Sequence, residues 1–165
     1  MYQADNGTRL TTYDLGTHEL KPILIKYLNV MYDCGYGMVY ADKSCIKNYG
    51  TNNEKNSKIY KTYNKKSDIF LSRFDDGQFV LTDGALVLLE NFGPPNTFIS
   101  VDINGFGKKP NQLGKDLFMF QLDKKGELLP MGSAGTKFSV NEYCSDTSSD
   151  NMNGAGCTVK VLEEG

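Results

Sequence analysis

Apolar side chains recur every three or four residues between Thr17 and Met31, in a part of the chain that is otherwise polar. This spacing places them on one face of an α-helix and predicts a helix over that range. Thr17 is a suitable N-cap residue, and Gly35 would stop the helix soon after its end. Pro22 fits only the first turn, which moves the expected start towards Leu20. The apolar positions are Leu20, Ile23, Leu24, Tyr27, Leu28 and Met31.

The pattern changes after a long polar stretch, residues 33–68, which is rich in Asn, Lys, Ser and Gly and predicts a loop. Two apolar runs follow, Phe79–Thr82 and Ala85–Leu89, separated only by Asp83-Gly84. The Asp-Gly pair favours a two-residue type I′ turn with positive φ at both residues. This segment therefore predicts a β-hairpin.

Further short apolar runs predict additional strands. Phe98–Ile103 and Leu117–Leu122 are the clearest, and Lys58–Tyr63 is a weaker candidate inside the polar stretch. A turn at Lys124-Lys125-Gly126 leads to a short segment, Glu127–Pro130. Cys157–Leu162 is too short to assign by periodicity, so a strand and a short helix both remain open.

The order of these elements predicts an α+β fold in one domain spanning residues 1–165. An N-terminal helix would pack on one face of an antiparallel β-sheet. A loop-rich tail begins at Gly132, with Ser145–Asp150 as its polar centre. The length of 165 residues is enough to bury a substantial core.

Composition excludes several classes of function. With 18 basic and 20 acidic residues, the formal charge is −2, which gives no general attraction for nucleic acid. The basic cluster Lys58–Lys66 is more typical of a solvated edge strand. No segment reaches the roughly 20 apolar residues that cross a bilayer, and the polar start shows no signal peptide.

Four cysteines indicate the compartment: Cys34, Cys45, Cys144 and Cys157. Four cysteines allow three pairings, and the local pairs Cys34–Cys45 and Cys144–Cys157 are favoured because each closes a short loop. Two such disulfides would stabilise the fold by about 3 kcal/mol each and indicate an oxidising compartment. The alternative is four reduced, buried cysteines in a cytosolic protein.

Motifs for catalysis are weak. His18 is the single histidine, and its place at a predicted helix start is typical of an exposed side chain. The chain has none of the short motifs of serine hydrolases, P-loop proteins or zinc proteases. Paired carboxylates can hydrolyse glycosides, and the candidates are Asp75, Asp76, Asp83 and Glu90, whose spacing in the fold the sequence cannot give. We expect no enzyme.

The stretch Val101–Asp116, which reads VDINGFGKKPNQLGKD, joins two predicted strands and concentrates oxygen-bearing side chains. Asp102 and Asn104 alternate at a strand end and share a face. Asn111 and Asp116 add an amide and a second carboxylate, and such oxygen ligands suit calcium. The alternative is that these side chains only cap their own turns.

Several stretches together resemble the soluble domain of type IV pilin-like proteins and pseudopilins of type II secretion systems. They are DGQFVLTDGALVLLEN, ISVDINGFGKKPNQLGKDLFMFQL, GELLPMGS, YCS and GAGCTVKVLEEG. The resemblance implies a helix on an antiparallel sheet and a C-terminal loop tied down by a disulfide, in agreement with Cys144–Cys157. Major pseudopilins bind calcium in a loop near the sheet, but this loop differs from theirs and no ligand carries over.

The resemblance also implies a function, a location and partners. Such proteins are anchored in the inner membrane by an N-terminal hydrophobic helix. This sequence does not include such a helix, so the resemblance implies that the chain is a truncated, soluble part of a longer protein. We therefore expect a non-enzymatic filament subunit at the periplasmic side or cell surface, bound to other pilin or pseudopilin subunits. The alternatives are a secreted carbohydrate- or surface-binding module and a small carboxylate-based hydrolase.

Overall fold

A six-stranded antiparallel sheet forms the centre of the computed structural model, which describes residues 7–37, 45–46 and 59–164. The strands lie side by side in chain order. They are β1 (Val30–Asp33), β2 (Gly77–Leu81), β3 (Leu86–Asn91), β4 (Thr97–Asp102), β5 (Leu117–Leu122) and β6 (Leu128–Pro130). The helices are α1 (Leu20–Leu24), α2 (Val140–Tyr143) and α3 (Cys157–Glu164), with 3₁₀ turns at Thr12–Asp14 and Leu71–Arg73.

The hairpin of β2 and β3 confirms the prediction from the two apolar runs, but its turn differs from the expected type. Leu81 N donates to Ala85 O (2.9 Å), which leaves a three-residue loop instead of two. Gly84 has φ of +91°, whereas Asp83 is not among the residues with positive φ. Asp83 stabilises the turn through its side chain, because Oδ1 accepts the N–H of Ala85 (3.0 Å). The type I′ prediction is therefore wrong.

Side chains that alternate along the strands build one core on each face of the sheet. On the first face, Val87, Leu89 and Ile99 pack with Leu20 of α1, so we call this the α1 face. On the opposite face, Leu86 and Leu88 pack against residues from the connection before β2 and the segment after β6. Those residues are Tyr60, Ile69, Leu71, Phe74, Met131 and Phe138. Successive residues of β3 thus enter different cores, and the whole strand is buried.

The predicted fold class, an N-terminal helix packed on a sheet, is wrong. In the described part of the chain, the antiparallel six-stranded sheet is the main element, and 17% of the residues lie in short helices. Only Leu20–Leu24 of the predicted Thr17–Met31 helix is helical. The apolar run that begins at Val30 is β-branched and aromatic, and it pairs with β2 as the edge strand β1. Met31, expected on the buried face of the helix, is 62% exposed in that strand.

Both disulfides occur in the pairs that the spacing favours. Cys34 bonds to Cys45 with a Cα–Cα distance of 5.2 Å, and Cys144 bonds to Cys157 with 4.9 Å. The second bridge links the end of α2 to the first residue of α3, so it closes the C-terminal segment as expected. Cys157–Glu164 is a helix, which decides between the two options that its sequence left open.

The polar connection before β2 is only partly described. Lys58 lies outside the described residues, and the rest of the predicted strand Lys58–Tyr63 contributes only isolated bridges at Lys61, to Asp68 and Gln112. Tyr60 in this segment is fully buried. In the described part of the chain, no helix combines the length and apolar character that a bilayer span requires.

Candidate functional site

The loop between β4 and β5 brings together the four side chains that the sequence singled out as calcium ligands. Asp102 is the last residue of β4 and lies opposite Leu117, the first residue of β5. Asp116 directly precedes that residue, and its carbonyl oxygen accepts the N–H of Ile103 (2.9 Å). Antiparallel pairing therefore places the two aspartates side by side at one end of the sheet.

Asp116 organises the loop from its centre. Its side chain is 3% exposed, and it accepts hydrogen bonds from the backbone N–H groups of Asn111 and Gln112, at 2.7 Å each. The Asn104 amide nitrogen lies 3.5 Å from Asp116 Oδ2. One carboxylate thus contacts both ends of the loop, which holds Asn104 and Asn111 near each other.

Asp102 is fully buried and bonds across the molecule. It accepts hydrogen bonds from the Tyr60 hydroxyl (2.6 Å) and from the backbone N–H of Asn104 (3.2 Å). Burial, with a smaller contribution from the negative charge of Asp116, raises the pKa of Asp102 above its ordinary value. Burial and the neighbouring Asp102 also raise the pKa of Tyr60, so the hydroxyl remains a donor.

The two asparagines have oxygen atoms without a donor. Asn111 is 8% exposed, and its amide nitrogen donates to Phe106 O (2.8 Å), while Oδ1 is buried and has no hydrogen-bond partner. Asn104 Oδ1 is also buried and unpartnered. Asn111 has φ of +51°, a left-handed conformation that Asn adopts more easily than most residues.

Gly114 allows this loop to pack against the C-terminal segment. Its φ is +79°, and a Cβ atom there would lie 2.8 Å from Gly154 O and 2.8 Å from Cys157 Cβ. No residue with a side chain fits this position without displacing the backbone. Within the described residues, no three or more His, Cys, Asp or Glu side chains form a group that could hold a metal ion. The loop contributes only two carboxylates.

A separate acidic cluster forms from three of the four carboxylates that the sequence named for hydrolysis. Asp75 and Asp76 precede β2, and Glu90 lies near the end of β3. Asp83 does not join them because it caps the hairpin turn. Burial, and then a hydrogen bond with Asp75, raise the pKa of Glu90 to about 9. Glu90 is therefore protonated at neutral pH and donates to Asp75.

The two aspartates of this cluster also have raised pKa values, chiefly because of burial. His18 lies beside them, with Nε2 3.3 Å from Asp76 Oδ1 and 42% of its side chain exposed. This exposure agrees with the prediction that His18 is an exposed side chain near a helix start. Its contact with Asp76 joins the segment before α1 to the acidic cluster, and no sequence pattern predicted this contact.

An apolar groove lies between the sheet and α3. It has a volume of about 240 Å³ and exposes only apolar surface. Val101 and Phe118 pair across β4 and β5, and Ile99 pairs with Phe120, so these side chains point to the α1 face. Ile103 is 57% exposed and Leu162 is 59% exposed. The lining residues are Val101, Ile103, Phe118, Phe120, Val161 and Leu162.

Comparisons with family models, curated proteins and solved structures gave no match for this chain. The resemblance to pilin-like proteins therefore stays a prediction. Two features of these sites were missed by sequence reasoning: Tyr60 as the partner of Asp102, and the groove. One sequence signal pointed to the burial of Tyr60: Ile59 and Tyr60 are two adjacent apolar residues inside a polar stretch.

Proposed function

We propose that the chain is a non-enzymatic subunit of an extracytoplasmic filament of the type IV pilus or pseudopilus kind, and that it binds other subunits of that filament. The two disulfides indicate an extracytoplasmic compartment, because such bonds are rare in the cytosol. Anchoring of the subunit in the inner membrane belongs to the proposal.

The observation that carries this proposal is the apolar groove. Its lining offers no polar atoms for a sugar or a charged ligand, and it suits aliphatic or aromatic side chains of another protein. Burying an exposed Ile or Leu side chain contributes about 1.5–3 kcal/mol, so Ile103 and Leu162 together can contribute about 3–6 kcal/mol to an interface. Exposed apolar side chains grouped in this way mark interaction sites more often than scattered ones do.

Charges beside the groove favour a second copy of the chain as its occupant. Lys108 and Lys109 are exposed on the loop that follows Ile103, and Glu163 and Glu164 are exposed at the end of α3, next to Leu162. The basic loop of one copy can therefore meet the acidic helix end of the next. A contact between two different surfaces of the same subunit builds a filament when its rotation does not close into a ring.

A photocrosslinking experiment tests this occupant. A benzophenone amino acid is placed at Leu162, and in a control protein at Leu128, which is 51% exposed on β6 outside the groove. At high protein concentration we expect a crosslinked dimer from position 162 only, and we expect Ile103→Asp to abolish it. Equal crosslinking at both positions, or none at position 162, contradicts the proposal, as does crosslinking to added lipid vesicles alone.

A small carboxylate-based hydrolase is the second candidate, and the acidic cluster favours it. A protonated Glu90 beside two other carboxyl groups resembles an acid and base pair. Against it, Glu90 is only 5% exposed and Asp76 only 7%, so a substrate has little access to either. Hydrolysis of a panel of aryl glycosides that is lost in Glu90→Gln would establish this function and displace the first.

A further inference from the structure

A second pocket lies beside α3, and the disulfide between Cys144 and Cys157 forms part of its wall. It has a volume of about 210 Å³, and Val161 lines both this pocket and the apolar groove. We propose that a small thiol bearing carboxylate groups enters this pocket and exchanges with the disulfide, and that this exchange regulates the groove. The exchange is independent of the proposed function, whereas its effect on subunit binding rests on that function.

The two cysteines of this bridge differ in access to solvent. Cys144 is partly exposed, whereas Cys157 is 1% exposed. In thiol–disulfide exchange a thiolate attacks one sulfur of the bridge, and the other sulfur leaves as a thiolate. An incoming thiol therefore reaches the sulfur of Cys144, and Cys157 is the leaving group.

Positive charge in the pocket favours the same direction of attack. Cys157 is the first residue of α3, where the helix dipole stabilises negative charge, and Lys160 follows one turn later. Lys160 and Lys115 both line the pocket, and a lower pKa of a leaving thiol speeds exchange. The two ammonium groups also attract the carboxylates of the incoming thiol. Glu164 opposes them only in part, since its Oε1 lies 3.8 Å from Lys160 Nζ and both side chains are largely exposed.

The exchange has two steps. In the first, the thiolate of the small thiol bonds to the sulfur of Cys144, and the electron pair of the old S–S bond moves to Cys157. The proton that the small thiol loses to water ends on the Cys157 sulfur. In the second step, another small thiol attacks the mixed disulfide and releases Cys144 as a thiol. Two small thiols are thereby oxidised to their disulfide, and one bridge of the protein is reduced.

Reduction of the bridge loosens α3, which forms one wall of the groove. The bridge ties the first residue of α3 to the residue that follows α2. Two hydrogen bonds also hold the first turn. Met119 N–H donates to Thr158 Oγ1 (3.0 Å), and Val159 N–H donates to the carbonyl oxygen of Met131 (3.0 Å). Val161 lies in the next turn, so its place in the groove depends on how firmly the first turn is held.

Glutathione is the probe for the site of attack. The folded, disulfide-bonded chain is incubated with glutathione, quenched with acid and alkylated, and its peptides are mapped by mass spectrometry. We expect mixed disulfide on Cys144 and none on Cys157. Lys160→Gln should slow the reaction with glutathione at least about threefold, and it should slow the reaction with uncharged 2-mercaptoethanol less. Lys125→Gln, at an exposed position outside the pocket, is the matched control.

Two single-cysteine variants compare the access of each sulfur directly. Cys157→Ala leaves a thiol at position 144, and Cys144→Ala leaves one at position 157. We expect the thiol at position 144 to react with the dicarboxylate reagent DTNB at least about tenfold faster than the thiol at position 157. Circular dichroism checks the fold of both variants, and if either variant unfolds, peptide mapping of the wild type decides the site of attack.

The bridge Cys34–Cys45 is the internal reference, because Cys34 is 0% exposed in the core and the lysine variants lie outside its surroundings. Its rate of reduction should be the same in the wild type and in Lys160→Gln. Glutathione on Cys157, or an unchanged rate at the C-terminal bridge in Lys160→Gln, would overturn the exchange site.

Crosslinking from position 162 tests the regulatory part. We expect the yield of crosslinked dimer to fall when glutathione reduces the C-terminal bridge. The double variant Cys144→Ser, Cys157→Ser should give the same low yield without glutathione, since it lacks only this bridge. A yield that is equal with and without the bridge would overturn the regulation. Mixed disulfide on Cys144 in an oxidised protein that forms no dimer would reject only the filament assignment.

Discussion

Replacing Glu90 by glutamine tests whether this carboxyl group is neutral in the folded protein. Glu90 is 5% exposed, its Oε2 has no donor within reach, and it shares a hydrogen bond with Asp75. Glutamine has the same shape as protonated glutamate and keeps an N–H donor for Asp75. The side chain at position 90 is therefore neutral at every pH in the variant, whereas in the wild type it is neutral only when it is protonated.

The pKa values give the sign and the size of the effect. Glu90 has a pKa of about 9 in the folded protein against 4.5 ordinarily, so the folded state binds the extra proton between these values. Stability of the wild type must fall as pH rises through that window, and the penalty is complete only above about pH 9. At pH 7 the difference corresponds to about 3 kcal/mol in favour of Glu90→Gln, with an upper limit of about 6 kcal/mol at higher pH.

Urea unfolding followed by circular dichroism at several pH values from about 4 to 9 measures this difference. We expect the two proteins to have equal free energies of unfolding at about pH 4. As the pH rises, the free energy of unfolding of Glu90→Gln should increasingly exceed that of the wild type. Glu127→Gln serves as the control, because that side chain is 49% exposed and lies on the surface beside Arg9. If the profiles of wild type and Glu90→Gln run parallel across the range, Glu90 is not a buried, protonated acid.

Three further changes test other contacts by urea unfolding. Tyr60→Phe removes the 2.6 Å hydrogen bond to buried Asp102 and should cost about 1–3 kcal/mol, whereas Tyr13→Phe at an exposed position should cost nothing measurable. Gly114→Ala should cost about 2 kcal/mol or more, because Cβ meets Gly154 O, while Gly107→Ala has open space and serves as its control; equal losses would contradict the close packing. Replacing Cys144 and Cys157 together by serine should cost about 3 kcal/mol, and an unchanged midpoint would show that the bridge contributes little.

The strands could be predicted because their signal is local. Apolar runs bounded by glycine, proline and aspartate placed β3 and β5 within a residue or two of their ends. The helix prediction failed because the spacing of apolar residues from Leu20 to Met31 fits a helix, whereas the helix ends at Leu24 and pairing with β2 decides the structure from Val30 onwards. That pairing joins residues about fifty positions apart, beyond the reach of any local pattern.

The closeness of Asp102 and Asp116 could be predicted from the sequence for a related reason. Asp102 and Asp116 flank one loop, and two antiparallel strands that join through a loop must bring its ends together. Tyr60 donates to Asp102 from 42 residues away, and no local spacing could predict that contact. The burial of Glu90 was equally hidden, because a charged residue at the end of a strand is normally exposed.

The two outermost strands limit how copies of this molecule can join. β1 has four residues and an irregular register with β2, while β6 has three residues and ends at Pro130, which has no N–H to donate. Short, irregular edge strands of this kind offer few free backbone N–H and C=O groups to a strand of another molecule. Polymers of the amyloid type, which grow by continuous backbone pairing, are thereby disfavoured, and lasting contacts between molecules have to form through side chains on the faces of the sheet.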